Sequence, residues 1–472
     1  MHAQPASAIA DPTNNGNWEK PTESGPDKEV PGYLVNLGPT GARAILKERS
    51  FVVKYVFRNS PAARYLTIDD EITGANGKPF GKHVFGKCYG IKSTEGIEGP
   101  LMDFGNAIED SEGDSGILTL TVLRKGKEKK VKIRLGKTGR FSETWPAKCR
   151  KSDRLLLGAL RYLLTSKELY RGQCHTKATA GLAFLSQGRI KEARKLALSW
   201  NKVPSGDVWS WPVSYQCIFL CEYHLRTRDR KVLKTISELT KILYKGQIVN
   251  PADYSSRMHG GEPQGKNFLK GGLGHRIEID GYGTMTITTL LAMMAWELAE
   301  DCGVKVDRER VEMAYECVRT HTHKSGYMGY RFGGGAYSPV GRQGLSILVH
   351  KLSEASADTD DYVKLVTGGL VNARNRVNDG HGDNVLSLFW ALLGIQASGD
   401  AEAARQVLDY NKPLVNLSRT HDGSFVALPC RNTGDKGYYM SSRLHPTAAM
   451  ILILGMDKPQ LRLERGNPSR KK

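Results

Sequence analysis

Near residue 150 the spacing of apolar residues switches from two to about 3.6, and the longer period then runs almost to the end of the chain. A period of two belongs to half-buried strands and one of 3.6 to helices, so one layer of structure cannot serve both parts. Upstream, Thr119-Leu120-Thr121-Val122-Leu123-Arg124 and Val131-Lys132-Ile133-Arg134-Leu135 flank a Lys125-Gly126 turn and predict a β-hairpin. Downstream, about twelve helices are predicted, over 153–167, 176–186, 190–200, 213–226, 231–244, 284–299, 308–320, 342–352, 361–373, 385–398, 401–410 and 446–454. They come in pairs joined by alternately short and long links. At 472 residues the chain also exceeds what one hydrophobic core serves, and the break in period marks where it divides.

The part before the break is punctuated by turns. Phe51-Val52-Val53-Lys54-Tyr55-Val56-Phe57 leads into Asn59-Ser60-Pro61-Ala62-Ala63, then Leu66 to Ile72 with Asp69-Asp70, then Asn76-Gly77-Lys78-Pro79. This order of strand, Ser-Pro-Ala-Ala helix cap, acidic turn and Asn-Gly turn resembles a PDZ domain of the bacterial type. The resemblance implies an α+β fold that docks a peptide or protein C-terminus. It places the peptide carboxylate on the backbone of Asn36, Leu37, Gly38, Thr40 and Gly41, where two glycines let several N–H groups face one anion. The peptide itself would add as a strand beside 42–46, against a helix over 101–108. Two departures from the family pattern, Asp69-Asp70 in place of Gly-Asp and Pro39 within the loop, keep open a module that packs on its neighbour and binds nothing.

Several long links between the helices are rich in glycine and aromatics, among them Gly271-Gly272-Leu273-Gly274-His275 and Gly329-Tyr330-Arg331-Phe332. Gly329-Tyr330 before Tyr337-Ser338-Pro339, and Gly423-Ser424-Phe425 before Tyr439, read as degenerate copies of one unit. Paired helices with Gly-aromatic turns resemble the α/α toroid of protein prenyltransferase β-subunits, squalene–hopene cyclases and several polysaccharide lyases. The expected fold class is therefore a multidomain chain, an α+β PDZ-like domain followed by an all-α (α/α)6 toroid of about twelve helices. Expected boundaries are a disordered leader over 1–30, the PDZ-like domain over 31–137, a linker over 138–151, the toroid over 152–457 and a basic disordered tail over 458–472. The pairing is similar to an uncharacterised family of planctomycete-type bacteria.

A formal charge of +19 favours anionic partners, and an acidic polysaccharide suits it. Nucleic acid is not expected, because no helix-turn-helix, zinc finger or aromatic-basic platform accompanies the charge. No run of about 18 apolar residues predicts a transmembrane segment. The aperiodic start reads as the leader of an exported protein, periplasmic or extracellular, whose signal peptide is absent from this chain; a cytoplasmic protein with a floppy start fits the same residues. Eight cysteines are too sparse for a disulfide framework. Cys217, Cys221 and His224 could suggest a metal site, but their surroundings read as the apolar face of a helix.

No cofactor and no metal is expected. Asp358-Thr359-Asp360-Asp361 fits the acid motif of the cyclases, and equally the acidic first turn that a helix dipole favours. His381 stands before a helix as a prenyltransferase zinc histidine does, but no Asp-x-Cys accompanies it to supply a thiolate. The lyase resemblance asks for a cation to neutralise a sugar carboxylate and a Tyr or His to take the α-proton. Tyr438-Tyr439-Met440-Ser441-Ser442-Arg443-Leu444-His445 supplies all three types at a helix start. The candidate catalytic residues are thus His381, Asp383, Tyr439, Arg443 and His445, with His275 and Arg331 able to converge from other links. Capping and packing suit the same residues. The leading functional expectation is peptide docking through the PDZ-like domain; the alternative is a toroid enzyme acting on an acidic polysaccharide, with a terpenoid cyclase-like enzyme behind it.

Overall fold

The structure is a computed structural model that describes residues 33–467, apart from 89–90, 95, 167–168, 170–173, 207, 255, 257, 260–261, 264, 280–281, 332–339, 354–355, 378–383 and 427–442. An antiparallel sheet region comes first and a region of thirteen described helices follows, so the α+β then all-α layout is as expected. Two compact units divide the chain. The first takes the described residues up to 167 with those of 373–389 and 405–457; the second takes the remainder.

In the first unit the strands are β1 (Leu34–Asn36), β2 (Ala42–Leu46), β3 (Phe51–Val56), β4 (Glu71–Ala75), β5 (Lys78–Pro79), β6 (Phe85–Cys88), β7 (Ile91–Thr94), β8 (Ile117–Arg124) and β9 (Lys127–Arg134). They form one sheet in the order β1-β2-β3-β4-β8-β9, with β5 on β4, while β6 and β7 pair separately. Both predicted turns form for a backbone reason. Asn76 and Gly77, like Lys125 and Gly126, have positive φ, the conformation that tight two-residue hairpins require. Asp69 takes φ +65°, standing where the PDZ pattern has glycine, and aspartate tolerates that region better than most residues. Asp70 is then buried and receives two 2.7 Å hydrogen bonds from Arg124.

Alternation along β3 and β8 turns one face inward, and helix α1 (Pro100–Gly113) covers it with Leu101, Phe104 and Ile108. Phe51, Phe80 and Phe104 meet edge to face at its centre. The outer strand β9 carries exposed Lys127, Lys129, Lys130 and Lys132, which discourages pairing with another chain. Helix α2 (Arg150–Thr165) belongs to this unit as well.

The second unit is a succession of helical hairpins: α3 (Cys174–Ser186), α4 (Ile190–Ser199), α5 (Ser210–Thr227), α6 (Leu233–Lys245), α7 (Thr286–Asp301), α8 (Arg308–Thr320), α9 (Gly341–Leu352) and α10 (Ala357–Asn372). Helices α3, α5, α7 and α9 are buried nearly all round, and each packs on the next in that order. Their partners α4, α6, α8 and α10 bury a single face, as expected of helices with solvent on one side. Four more follow: α11 (Asn384–Ala397), α12 (Ala401–Ser418), α13 (Leu444–Leu454) and the short α14 (Arg462–Arg465). Helix α13 packs on α2 within the first unit. In the second, Gly344 of α9 lies against the backbone of Trp390 in α11. No described helix is long and apolar enough to cross a membrane.

The twelve predicted helices all occur, with ends that move by a few residues. The largest change is α12, which runs through Pro413 to Ser418 and not to residue 410.

Candidate functional site

The loop expected to hold a peptide carboxylate is already occupied by the chain itself. Gly38–Thr40 form a single 3-10 turn, and Asn36, Leu37, Gly38, Thr40 and Gly41 are all buried. The side-chain amide of Asn36 donates to the carbonyls of Leu417 and Arg419, 2.6 Å each. A Cβ on Gly38 would stand 2.6 Å from the Asn416 carbonyl, and one on Gly41 would collide with Ser60. Both glycines also have positive φ, so the loop is built for close approach. Strand β2, expected to receive the peptide, has β1 on one edge and β3 on the other. A strand has two edges only, and neither remains for a further strand. β1 runs antiparallel to β2 and ends at the loop.

Alpha-helical residues cover the same region. Leu414 and Leu417 of α12 sit in the core of the sheet region, Pro413 packs on Gly105 of α1, and Asn416 donates to the Gly105 carbonyl and to Glu109. Just past the helix, Arg419 donates to Glu112 at 2.7 and 2.8 Å, and Lys151 of α2 pairs with Glu112 at 2.9 Å and also with Glu109. Burial opposes the charge on Glu112, but Arg419 and Lys151 hold its carboxyl below the ordinary value.

Of the five candidate catalytic residues, His381, Asp383 and Tyr439 lie outside the described residues. Arg443 is ion-paired with Asp422 at 2.8 Å and lies over the ring of Tyr162. A guanidinium so neutralised is less available to a substrate carboxylate. His445 is fully enclosed in the first turn of α13. Asp358 and Asp360 stand in the first turn of α10, and Asp361 just after it pairs with Lys364. The sulfurs of Cys217 and Cys221 are 4.0 Å apart and buried, and His224 bonds the Asp229 carbonyl. Among the described residues no group of three His, Cys, Asp or Glu is arranged to hold a metal.

A different constellation forms in the second unit, and His275 and Arg331 are in it. Residues 208–210 and 275–277 pair like strands: Ser210 N–H donates to the His275 carbonyl and Ile277 N–H to the Val208 carbonyl. Thr286, at the start of α7, donates through its hydroxyl to the Gly329 carbonyl and through its N–H to that of Tyr330. The starts of α5 and α7 thereby hold Trp211 and Tyr330 against one histidine, and Arg342 at the start of α9 lies over Tyr330. Trp211 Nε1–H donates to His275 Nδ1 at 2.9 Å, and Tyr330 Oη lies 3.3 Å from His275 Nε2. An indole N–H can only donate, so Nδ1 accepts and the proton of the neutral ring is on Nε2, facing Tyr330. Tyr282 lies 5.2 Å from His275, ring to ring.

Three guanidinium groups surround these rings. Arg331 is 4.1 Å above Tyr282, Arg342 is 5.0 Å above Tyr330, and Arg276 is 4.9 Å above Trp209. Arg342 is buried, whereas His275, Tyr282, Tyr330 and Arg331 are half-buried and Trp209 is 40% exposed. The arrangement joins a proton-transfer pair to a cationic rim with aromatic faces, which suits an anionic ligand with apolar ring surfaces. Sequence reasoning missed Trp209, Trp211, Tyr282, Tyr330 and Arg342 as site residues. A signal was present for Tyr282 and Tyr330, which stand next to glycines in the links, whereas Trp209, Trp211 and Arg342 stand at helix starts outside them.

No curated protein matches the chain. Residues 152–464, more than half of the chain, match the family described as a domain of unknown function, DUF6288, and the chain belongs to that family.

Proposed function

We propose that the helical region is an α/α toroid enzyme that cleaves an acidic polysaccharide by β-elimination, at the His275–Tyr330 pair. One observation carries this reading. Tyr330 Oη faces the proton-bearing nitrogen of a histidine oriented by Trp211, with the Arg342 cation over the same phenol ring. A hydrogen bond donated to an oxygen and a nearby cation both favour its anionic form, which is the form that takes a proton. In the reaction Tyr330 Oη removes the proton α to a uronate carboxylate while Arg331 neutralises that carboxylate. The electron pair forms the new carbon–carbon double bond as the β-glycosidic oxygen departs, and the proton that Tyr330 Oη has taken passes to that oxygen, which restores the phenolate. Replacing Tyr330 by Phe tests it: cleavage of a uronate polymer, followed by ultraviolet absorbance of the unsaturated product, should fall at least 100-fold, in the range expected for a lost general base (roughly 10²–10⁴). Unchanged cleavage in that variant, or no cleavage by the parent protein across a panel of uronate polymers, would overturn the assignment.

The sheet region is, in this reading, a PDZ-like module whose ligand is supplied in cis. The order β1-loop-β2 and the residues 413–419 over the loop support it. Display of C-terminal peptides against the intact chain should then give no enrichment, and a specific binder would restore external docking as its role. An exported bacterial setting accompanies the proposal, since acidic polymers of this kind lie outside the cytoplasm; cell fractionation decides it.

A further inference from the structure

A cavity of about 840 Å³ opens beside the candidate site, lined by the ends of α5's approach, α6 and the 276–279 segment. Its wall is two-sided. Val208, Ile242 and Ile277 form an apolar surface, while Lys245, Arg276 and Glu278 bring charge. Arg276 links it to the site, because the same guanidinium lies over Trp209 and the preceding residue is His275. His275 itself does not line the cavity, whereas Arg276, the next residue, does.

Resting on the reading of an acidic glycan substrate, we propose that this cavity is a second sugar subsite, which takes a further uronate residue of the same polymer. An apolar wall suits the C–H face of a pyranose ring, and Arg276 and Lys245 are the partners for its carboxylate. Glu278 repels that carboxylate from its own side and accepts sugar hydroxyls, which fixes the direction in which the ring enters. Lys245 is exposed at the last turn of α6, so replacing it leaves packing intact.

The experiment measures binding and does not depend on turnover. Tyr330→Phe protein is titrated calorimetrically with oligouronates of increasing length, alone and with Lys245→Ala added. Affinity should rise once the oligomer is long enough to reach the cavity, and the added substitution should remove about tenfold of that gain, as for one lost charge-assisted contact. The shortest oligomer should bind both proteins alike. Equal weakening at every length, or no weakening at any, would overturn the subsite, as would failure of every oligomer to bind. Length-dependent binding without cleavage by the parent protein would instead sustain the subsite and refute the elimination chemistry alone.

Discussion

The buried cluster of Glu109, Glu112, Lys151 and Arg419 should be the most sensitive polar feature of the first unit, and Arg419→Met is the perturbation that exposes it. Two carboxylates and two cations balance, and the side chains of Glu112 and Lys151 are inaccessible while Arg419 is 8% exposed. Removing Arg419 cancels two hydrogen bonds to Glu112 and one to Asn416, and leaves one net negative charge with little solvent. Losing one partner of a buried pair costs about 3–5 kcal/mol, since the remaining charge keeps its desolvation penalty. The surface pair Arg140–Asp110, more than half exposed on both sides, is the control and should be worth about 0.2–1 kcal/mol. Urea unfolding measures both. With a slope of roughly 3 kcal/mol/M for a unit of this size, Arg419→Met should lower the midpoint by about 1 M or more. Acid should reproduce the loss: the folded carboxyl of Glu112 lies below its ordinary 4.5, so its contribution is present above that pH and fades as pH falls toward the folded value. A midpoint shift no larger than that of the surface control would refute the reasoning.

Three further outcomes follow from named contacts. Glu222 is fully enclosed and accepts the N–H groups of Arg462 and Leu463; burial pushes its carboxyl up to about 7. Folded protein thus holds a proton that unfolded protein has lost between about 4.5 and about 7, so this carboxyl makes stability fall as pH rises through that window, and Glu222→Gln should remove that fall from the difference in melting temperature between parent and variant, since the raised carboxyls of Glu464 and Glu297 and the lowered imidazoles of His175 and His421 act alike in both. Gly344→Ala drives a methyl group into the Trp390 backbone and should cost about 1–3 kcal/mol, read by thermal melting; a neutral result would mean that α9 and α11 part easily. Trp211→Phe frees His275 Nδ1 while keeping the ring, and should reduce kcat on the order of tenfold with KM kept and the pH profile displaced. A profile identical to the parent's would show that the indole does not orient the histidine.

Much of the fold was legible because its causes are local. Asn76-Gly77 and Lys125-Gly126 specify tight turns by backbone conformation, and the 3.6 period located each long helix, since a helix repeats its neighbours along the chain. The end of α12 was not legible: a proline inside a helix removes a hydrogen bond, yet the turn with Pro413 packs on Gly105 and is retained by tertiary contact. The site was legible only in part. His275 and Arg331 were marked by their glycine-rich links, whereas Trp211 and Arg342 sit on helix starts that looked like ordinary packing positions.

By itself, then, the amino-acid order determined the two periods, the turns and the division into a sheet region and a helical one, all of which follow from steric preferences within a few residues. Tertiary structure alone decided what fills the loop at 36–41, which arginines are already neutralised, and which histidine meets a tyrosine. Asn36 and Arg419 lie 383 positions apart, and His275 and Tyr330 lie 55 apart. Contacts of that range depend on how whole elements pack, and a local rhythm of apolar residues does not specify which polar side chains the packing will bring together.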